Sequence, residues 1–263
     1  MCLFCGALPR YPNTVSGQAE LKHVRGLHQK KNRDAEGVFL VQGRKLVAEL
    51  LRSPWRVQAV HATAAAAESL GLRDARVHPA HVLDRMGTLE TGNEVVAVVF
   101  RPAEQAFIPP AQDELVLALD GIADPGNLGT IIRIADWFGA SAVWCAEGSV
   151  EAWNTKCVQA SMGSLLRVPV VQVDLPHALA TAAQAGATAY KADMGGDDVL
   201  DVELRRPAVL VLGSESHGLS PAVRNGPGRT IAVPRLGGAE SLNVAAAAAA
   251  LCMELTRSLR AQG

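Results

Sequence analysis

The stretch that decides the fold is residues 115–140, LVLALDGIADPGNLGTIIRIADWFGA. It opens with an apolar run at 115–119, which predicts a buried strand, and passes through a polar, glycine-rich turn into a segment with helical spacing. Further apolar runs follow at 142–146, 168–173, 188–192, 208–212 and 230–233, and a long helix is predicted at 242–259. Strands of this kind alternating with helices are typical of a parallel sheet covered on both faces, so the sequence predicts an α/β fold.

The first hundred residues have a different organisation. Residues 1–17 read as a tail, and residues 18–101 form a smaller α/β domain with helical spacing at 19–33, 45–52 and 64–70 and strands at 38–42, 57–62 and 94–100. Residues 102–113 contain three prolines without periodicity, which predicts a linker. The larger domain then occupies 114–263.

Composition and charge narrow the class of protein. Of 263 residues, 49% are hydrophobic and only 4% aromatic, so there is enough Ala, Val and Leu for a sizeable core. The net charge is only −1, but the segment 22–45 holds two acidic residues against seven basic ones: Lys22, Arg25, Lys30, Lys31, Arg33, Arg44 and Lys45. Such a cluster is predicted either to bind a polyanion or to form a solvated helix face.

The cysteines indicate a reducing compartment. Five of them, at positions 2, 5, 145, 157 and 252, show no paired framework, which favours a cytoplasmic protein. Cys2 and Cys5 cannot complete a tetrahedral zinc site without a second pair, so no metal site is predicted. The most apolar run, 242–255, is short and interrupted by polar residues, and no membrane segment is predicted.

Three of the predicted strands end in polar, glycine-rich segments, at 120–140, 213–220 and 234–244. In parallel sheets, ligands bind beyond the carboxyl ends of the strands. The segments lack the GxGxxG and GxxxxGK[ST] patterns of nucleotide sites. Ser216 is the central serine of SESHG, which differs from the nucleophile-elbow pattern G-x-S-x-G only at position 214. No histidine follows His217 in the chain, so the order of residues in a serine-hydrolase triad is missing.

Taken together, the three segments resemble a known family. NLGTIIRIA at 127–135, LGSESHGLS at 212–220 and VPRLGGAESLNVAAA at 233–247 are similar, in order and spacing, to the three motifs of the SpoU-type RNA 2′-O-ribose methyltransferases of the SPOUT superfamily. FLVQGRKLV at 39–47 resembles part of that family's small RNA-binding domain.

The resemblance implies a deep trefoil knot in the larger domain, S-adenosyl-L-methionine as cofactor and a homodimer formed through that domain. Cofactor contacts would fall on Gly213, Gly218, Val233 and Leu242. An ordinary core position is the alternative for Val233 and Leu242. The catalytic positions would be Asn127, Arg133, Glu215, Ser241 and Asn243.

Three of the catalytic positions also have a plain structural interpretation. Asn127 suits a helix N-cap, while Ser241 and Asn243 could simply begin the last helix. The proposed role of Arg133 is to grip the target phosphate, since a guanidinium resists deprotonation, and that of Glu215 is to orient the reacting groups. The front domain favours ribosomal RNA as substrate. A tRNA methyltransferase and a noncatalytic RNA-binding or assembly protein are the alternatives.

Overall fold

The computed structural model describes residues 17–103 and 105–262. The chain forms two compact units, each with its own sheet. The first contains the described residues up to Ala103 together with Trp153–Thr155, and the second contains the described residues of Glu104–Ala152 and Lys156–Gly263. The predicted tail, with Cys2 and Cys5, lies outside the described residues apart from Gly17.

A four-stranded sheet in the order β1-β4-β2-β3 forms the centre of the first unit. β4 pairs antiparallel with both β1 and β2, and the sequence VVAVVF makes β4 almost wholly buried. The elements are α1 (Gly17–Gly26), α2 (Lys30–Glu36), β1 (Val38–Gln42), α3 (Arg44–Leu50), β2 (Val57–Ala62), α4 (Ala64–Ser69), β3 (Arg76–Val77), α5 (Ala80–Met86) and β4 (Val95–Phe100).

A six-stranded sheet in the order β10-β8-β9-β5-β6-β7 forms the second unit, and all of its pairs are parallel. Its carboxyl ends therefore meet at one edge. The elements are β5 (Leu115–Asp120), α6 (Pro125–Trp137), β6 (Ala142–Ala146), α7 (Thr155–Ala160), β7 (Val170–Val173), α8 (Leu175–Gln184), β8 (Thr188–Asp198), β9 (Ala208–Gly213), α9 (Pro221–Arg224), β10 (Arg229–Ala232) and α10 (Val244–Gln262), with short 3-10 turns at Ser164–Leu166 and Val199–Asp201.

These sheets confirm the predicted α/β class and the parallel sheet of the larger domain. Helix α10 contacts α6 and β9, and the trefoil knot that the resemblance implies stays a prediction. The border between the units falls within the predicted linker, whose described residues contain neither helix nor strand. No helix in the described ranges is both long and apolar enough to cross a membrane.

Several predicted elements differ from those in the structure. The single helix expected over 19–33 is two helices, with a turn between Gly26 and Lys30. β3 and α5 were missed, because a two-residue strand is too short to show alternation and α5 spans fewer than two full turns with a weak apolar pattern. The last helix begins at Val244 rather than at 242, because residues 233–243 form an irregular segment.

Candidate active site

The three motif segments meet at the carboxyl edge of the second sheet. Asp120, the last residue of β5, pairs in register with Gly213, the last residue of β9. β10 runs parallel to β8, which in turn runs parallel to β9, so the segment after Ala232 leaves from the same edge. Strand direction alone therefore gathers residues that are about a hundred positions apart in the chain.

A chain of side-chain hydrogen bonds joins one residue from each motif. Asn243 Nδ2 donates to Asn127 Oδ1 over 3.1 Å, and Asn127 Nδ2 donates to Glu215 Oε1 over 2.5 Å. Glu215 is exposed, and its second oxygen, Oε2, has no hydrogen-bond partner within the described part of the chain. The network holds a carboxylate in a fixed orientation with one oxygen still available.

The amino end of α10 sets the orientation of this network. Asn243 Oδ1 accepts hydrogen bonds from the backbone N–H groups of Ala245 and Ala246, at 2.9 and 3.3 Å. Because the oxygen faces the helix, the NH₂ group must face Asn127. Asn243 is thus both the cap of the last helix and a member of the hydrogen-bond network. Its interpretation as a helix start and its interpretation as a site residue are therefore compatible.

The first motif is capped differently from the expectation. Asp124, not Asn127, caps α6: its Oδ1 accepts the backbone N–H of Asn127 over 2.9 Å. The Asn127 side chain is therefore left for Glu215 and Asn243. A hydrogen bond from Lys156 at 2.7 Å, followed by the backbone of Asn127, lowers the pKa of Asp124 below its usual value.

The second motif forms a tight turn between β9 and α9. Ser214 and Gly218 exchange both backbone hydrogen bonds, and a Cβ at Gly213 would collide with the backbone of Gly218. The buried carboxylate of Asp120 accepts the backbone N–H of Ser220 over 2.6 Å and so ties this turn to the end of β5. The sequence analysis missed Asp120. An acid directly after an apolar strand and before a glycine was the available signal.

The same turn brings Ser216 and His217 together. Ser216 Oγ lies 2.7 Å from His217 Nδ1, although both side chains are exposed. No carboxylate among the described residues accepts from the other ring nitrogen, so the group that would orient the imidazole in a hydrolase triad is missing. This adjacent pair is a local feature of the turn.

Gly129 of the first motif has a packing role. A Cβ at this position would strike the backbone carbonyl of Cys157 and approach the Ala160 Cβ to 2.7 Å. Both of these residues belong to α7, so the glycine lets α6 and α7 approach closely. This motif residue supports the site through helix packing rather than through chemistry.

The third motif segment presents apolar side chains to solvent. Between residues 233 and 243 there is no helix or strand; Leu236 is 99% exposed and Leu242 54% exposed, while Val233 is half-buried. Leu242 is therefore not a core residue. Irregular backbone together with an exposed leucine is the type of lining that an adenine ring requires, because its edge needs backbone hydrogen bonds and its faces need apolar cover.

Two of the five catalytic candidates lie outside the network. Ser241 is exposed and makes no side-chain hydrogen bond within the described residues. Arg133 lies on α6, is exposed, and among the described residues forms no ion pair. Since most arginines described in this chain have an acidic or carbonyl partner, an unpartnered one on a motif helix is available to an external anion.

The basic cluster of the first unit separates into different environments. Lys22 and Arg25 line an open groove together with Gln18, Gln29 and Arg85. Lys31 and Lys45 are exposed, Lys30 pairs with Asp34 at 2.6 Å, and Arg44 pairs with Glu94 at 2.5 Å.

Arg33 does not share this surface. It is 1% exposed, and its guanidinium donates to the carbonyl oxygens of Leu27 and His28 at 2.9 and 2.8 Å. A side chain enclosed in this way holds the turn between α1 and α2 together. The sequence could not separate it from its neighbours, because burial depends on which face of a helix meets the core.

Comparison with protein families agrees with this geometry. Residues 114–253 match the model of the SpoU rRNA Methylase family, and residues 18–99 match an MRM3-like substrate binding domain. The chain belongs to the SpoU rRNA methylase family. The resemblance that the three motifs indicated is therefore confirmed, as is the class of enzyme, an RNA 2′-O-methyltransferase with S-adenosyl-L-methionine as cofactor.

Individual relatives cover the chain to different extents. The 23S rRNA (guanosine(2553)-2′-O)-methyltransferase RlmP of Bacillus subtilis is 32% identical over 240 residues, 90% of this chain and 95% of that protein. The SpoU methyltransferase AviRb of Streptomyces viridochromogenes, solved with AdoMet, is 30% identical with a TM-score of 0.83, covering 93% of this chain and 99% of that one. A structure described for 2-OH methylation of C/U34 on tRNA is 25% identical with a TM-score of 0.51, covering 56% of this chain and 97% of that one.

Proposed function

We propose that this member of the family methylates the 2′-hydroxyl of one ribose in 23S ribosomal RNA, with Glu215, Asn127 and Asn243 at the reaction site. The observation that carries the proposal is the hydrogen-bond chain from the end of α10 to Glu215, which joins all three motifs. It leaves the second carboxylate oxygen of Glu215 without a hydrogen-bond partner among the described residues.

The cofactor would lie against the turn at Gly213 and Gly218 and the irregular segment that begins at Val233 and includes Leu242. When bound, S-adenosyl-L-methionine supplies a methyl group on a positively charged sulfur. The backbone of the two segments holds the adenine edge, and Leu242 covers an apolar face. In this position the cofactor would lie beside Glu215, the only acidic side chain of the second motif.

The substrate ribose would be positioned by the free oxygen of Glu215. This oxygen would accept a hydrogen bond from the 2′-hydroxyl and so orient a lone pair of the 2′-oxygen toward the methyl group. Arg133 would hold a neighbouring phosphate, and Ser241 would offer a further hydroxyl. Such positioning contributes on the order of 7–11 kcal/mol to acceleration in favourable cases. A rigid network suits this role, because the orientation is set before substrate binds.

The first unit would bind the RNA backbone. Lys22, Arg25, Lys30, Lys31, Arg44 and Lys45 form the proposed surface, and Arg33 is left out of it because it is buried. Lys22 and Arg25 have the strongest support, since they share one groove with Arg85. Contacts of this kind are electrostatic and weaken with salt.

The extent of the matches favours ribosomal over transfer RNA. The relative named for 23S rRNA matches 90% of this chain, both units included, whereas the structure described for tRNA matches 56% of it. The first unit is therefore shared with an rRNA enzyme. A tRNA substrate remains the second candidate because the catalytic unit is common to both.

A homodimer and a cytoplasmic location complete the proposal. Trp137 on α6 is 83% exposed and Met253 on α10 is 58% exposed, and these two helices contact each other, so apolar surface is available for a second copy. The cysteines at 145, 157 and 252 are unpaired thiols, which suits a reducing compartment. Light scattering should give a molar mass twice that of the chain, and Trp137→Lys should lower this measured mass. A monomeric mass for the unmodified protein would contradict the dimer.

The deciding experiment is transfer of labelled methyl to separate rRNA and tRNA pools that lack modification, followed by digestion to nucleosides. We expect label in a single 2′-O-methyl nucleoside of 23S rRNA. Glu215→Ala should abolish it, whereas Glu203→Ala, which removes an exposed glutamate that pairs with Arg205, should leave it unchanged.

Each other outcome assigns a different function. Label in tRNA alone would replace the substrate with the second candidate. RNA binding and cofactor binding without transfer to either pool would indicate a noncatalytic RNA-binding protein. Transfer that survives Glu215→Ala would remove Glu215 from the reaction site.

A further inference from the structure

A histidine-carboxylate cluster lies in the first unit, apart from the three motifs. His61 is on β2, His78 follows β3 and Glu20 is on α1, and one potential ligand atom from each lies within 4.8 Å of the others. His61 is 1% exposed and His78 9%, while the Glu20 side chain is 13% exposed. Three separate elements therefore place three lone-pair atoms around one small volume.

Two of the three distances between these atoms are close to the edge of a tetrahedral zinc site, and the third is within 4.8 Å. His61 Nδ1 lies 3.0 Å from His78 Nε2, which lies 3.4 Å from Glu20 Oε2. Two ligand atoms on one tetrahedral zinc ion, with bonds of about 2.0–2.1 Å, are separated by about 3.3 Å. Two neutral imidazoles and one carboxylate are donors that zinc accepts, and they would leave its fourth position open.

Hydrogen bonds link these three atoms only in pairs: if the His61 Nδ1–H group donates to His78 Nε2 over 3.0 Å, His78 has no proton on that nitrogen to donate to Glu20. His78 Nε2 carries either one proton or one lone pair, yet both His61 Nδ1 and Glu20 Oε2 face it. If Nε2 donates to one of them, the other is left without that bond. A cation accepts lone pairs from all three atoms at once.

Arg76 orients the Glu20 carboxylate toward the two histidines. Arg76 Nη1 lies 2.9 Å from Glu20 Oε1, so Oε2 is the oxygen directed at the histidines. Carboxylates that bind metals are commonly oriented by a second hydrogen-bonded group of this kind.

We propose that Glu20, His61 and His78 bind one zinc ion. The ion joins α1 to the sheet of the first unit, two residues before Lys22 on the same helix. It therefore fixes the helix that carries Lys22 and Arg25. This site departs from the sequence analysis, which predicted no metal because it considered only the cysteine pair in the tail. Histidines 17 residues apart show no familiar ligand spacing.

The test measures zinc itself and is independent of methyl transfer. Full-length protein with Cys2→Ser and Cys5→Ser, which removes thiol binding in the tail, is freed of metal and titrated with Zn²⁺ against a chromophoric chelator. We expect one equivalent bound per chain. His78→Gln and Glu20→Gln should each weaken binding by more than about 100-fold, since each removes a ligand rather than a supporting group.

The matched control is His81→Gln, which changes an exposed histidine three residues from His78 and should leave the affinity unchanged. Co²⁺ titration provides a second readout, since a tetrahedral site gives intense visible absorption that both ligand variants should lose. Circular dichroism verifies folding, and the partly exposed Glu20 allows the test to stand if His78→Gln is unstable. No stoichiometric zinc binding, or equal binding in the control and both ligand variants, would overturn the proposal.

Discussion

The edge of the second sheet and the basic segment of the first unit organise their polar residues in opposite ways. At the sheet edge, Asn127 bonds residues that lie 88 and 116 positions away. In the basic segment, neighbours in sequence separate: Lys30 pairs four residues along its helix, while Arg33 turns inward to nearby carbonyls. Proximity in sequence is thus a poor guide to shared function, and a common strand direction is a good one.

The physical reason lies in the backbone. Parallel strands deliver their carboxyl ends to one edge whatever the sequence separation, so residues after β5, β9 and β10 must meet. On a helix, successive residues point in directions about 100° apart. A run of charged residues on α1 and α2 is therefore divided between core and solvent.

Breaking the hydrogen-bond network of Asn243, Asn127 and Glu215 should have the largest effect on methyl transfer. Asn127→Ala removes both of its bonds, to Glu215 and from Asn243, and we expect kcat for methyl transfer to fall by about 100-fold because the carboxylate loses its orientation. The measurement is single-turnover methyl transfer to the RNA substrate. Asn225→Ala, an exposed asparagine after α9, is the control, and equal rates for the two variants would show that the network is not used.

Arg133 tests whether an unpartnered residue at the same edge belongs to the site. Arg133→Ala should lower kcat/KM by about 10–100-fold, because the transition state loses its charge-assisted hydrogen bonding to the phosphate. Arg133→Lys should fall between it and the native enzyme, since an ammonium cannot grip phosphate in a bidentate way. Arg205→Ala, which removes an exposed arginine paired with Glu203, serves as the control. Full turnover in Arg133→Lys would argue against bidentate binding.

The salt dependence of RNA binding can separate the residues of the basic segment that contact RNA from those that are buried. A Lys22→Ala, Arg25→Ala double variant should reduce the slope of log affinity against log salt by about 1.5, because two phosphate contacts are lost. Arg33→Met should leave that slope unchanged and instead lower the free energy of unfolding by about 1–3 kcal/mol, since buried carbonyls lose their donor. RNA binding at several salt concentrations and chemical denaturation check the pair. A changed slope in Arg33→Met would show that Arg33 contributes to the proposed RNA-binding surface.

The smallest effect concerns the cap that frees Asn127. Asp124→Ala should destabilise the protein by about 1 kcal/mol. Because the pKa of Asp124 is lowered in the folded state, its contribution is present above the unfolded pKa and is lost as pH falls through the folded value. The difference in unfolding free energy between the two proteins should therefore be constant near neutrality and disappear only in acid. A difference that disappears at neutral pH would contradict this assignment.

Sequence patterns predicted the elements best where strands are apolar and bounded by turns. The strands Val38–Gln42, Val57–Ala62 and Ala142–Ala146 have the bounds expected. The length of β8 was underestimated, because its second half, after Ala192, contains aspartates and glycines, has no buried residue and pairs with β10 only after a shift of register. A strand that leaves the core loses the apolar pattern by which strands are recognised.

The sequence by itself determined the α/β class, the family and the identity of the three residues now seen in the network, because strand periodicity and motif residues are local properties. Tertiary structure decided which of the polar residues act together. It turned Asn243 into a cap that orients Asn127, enclosed Arg33 in the core, and brought Glu20, His61 and His78 to one point. Contacts between distant residues depend on strand order and on which helix face is buried, and neither is written in the spacing of one segment.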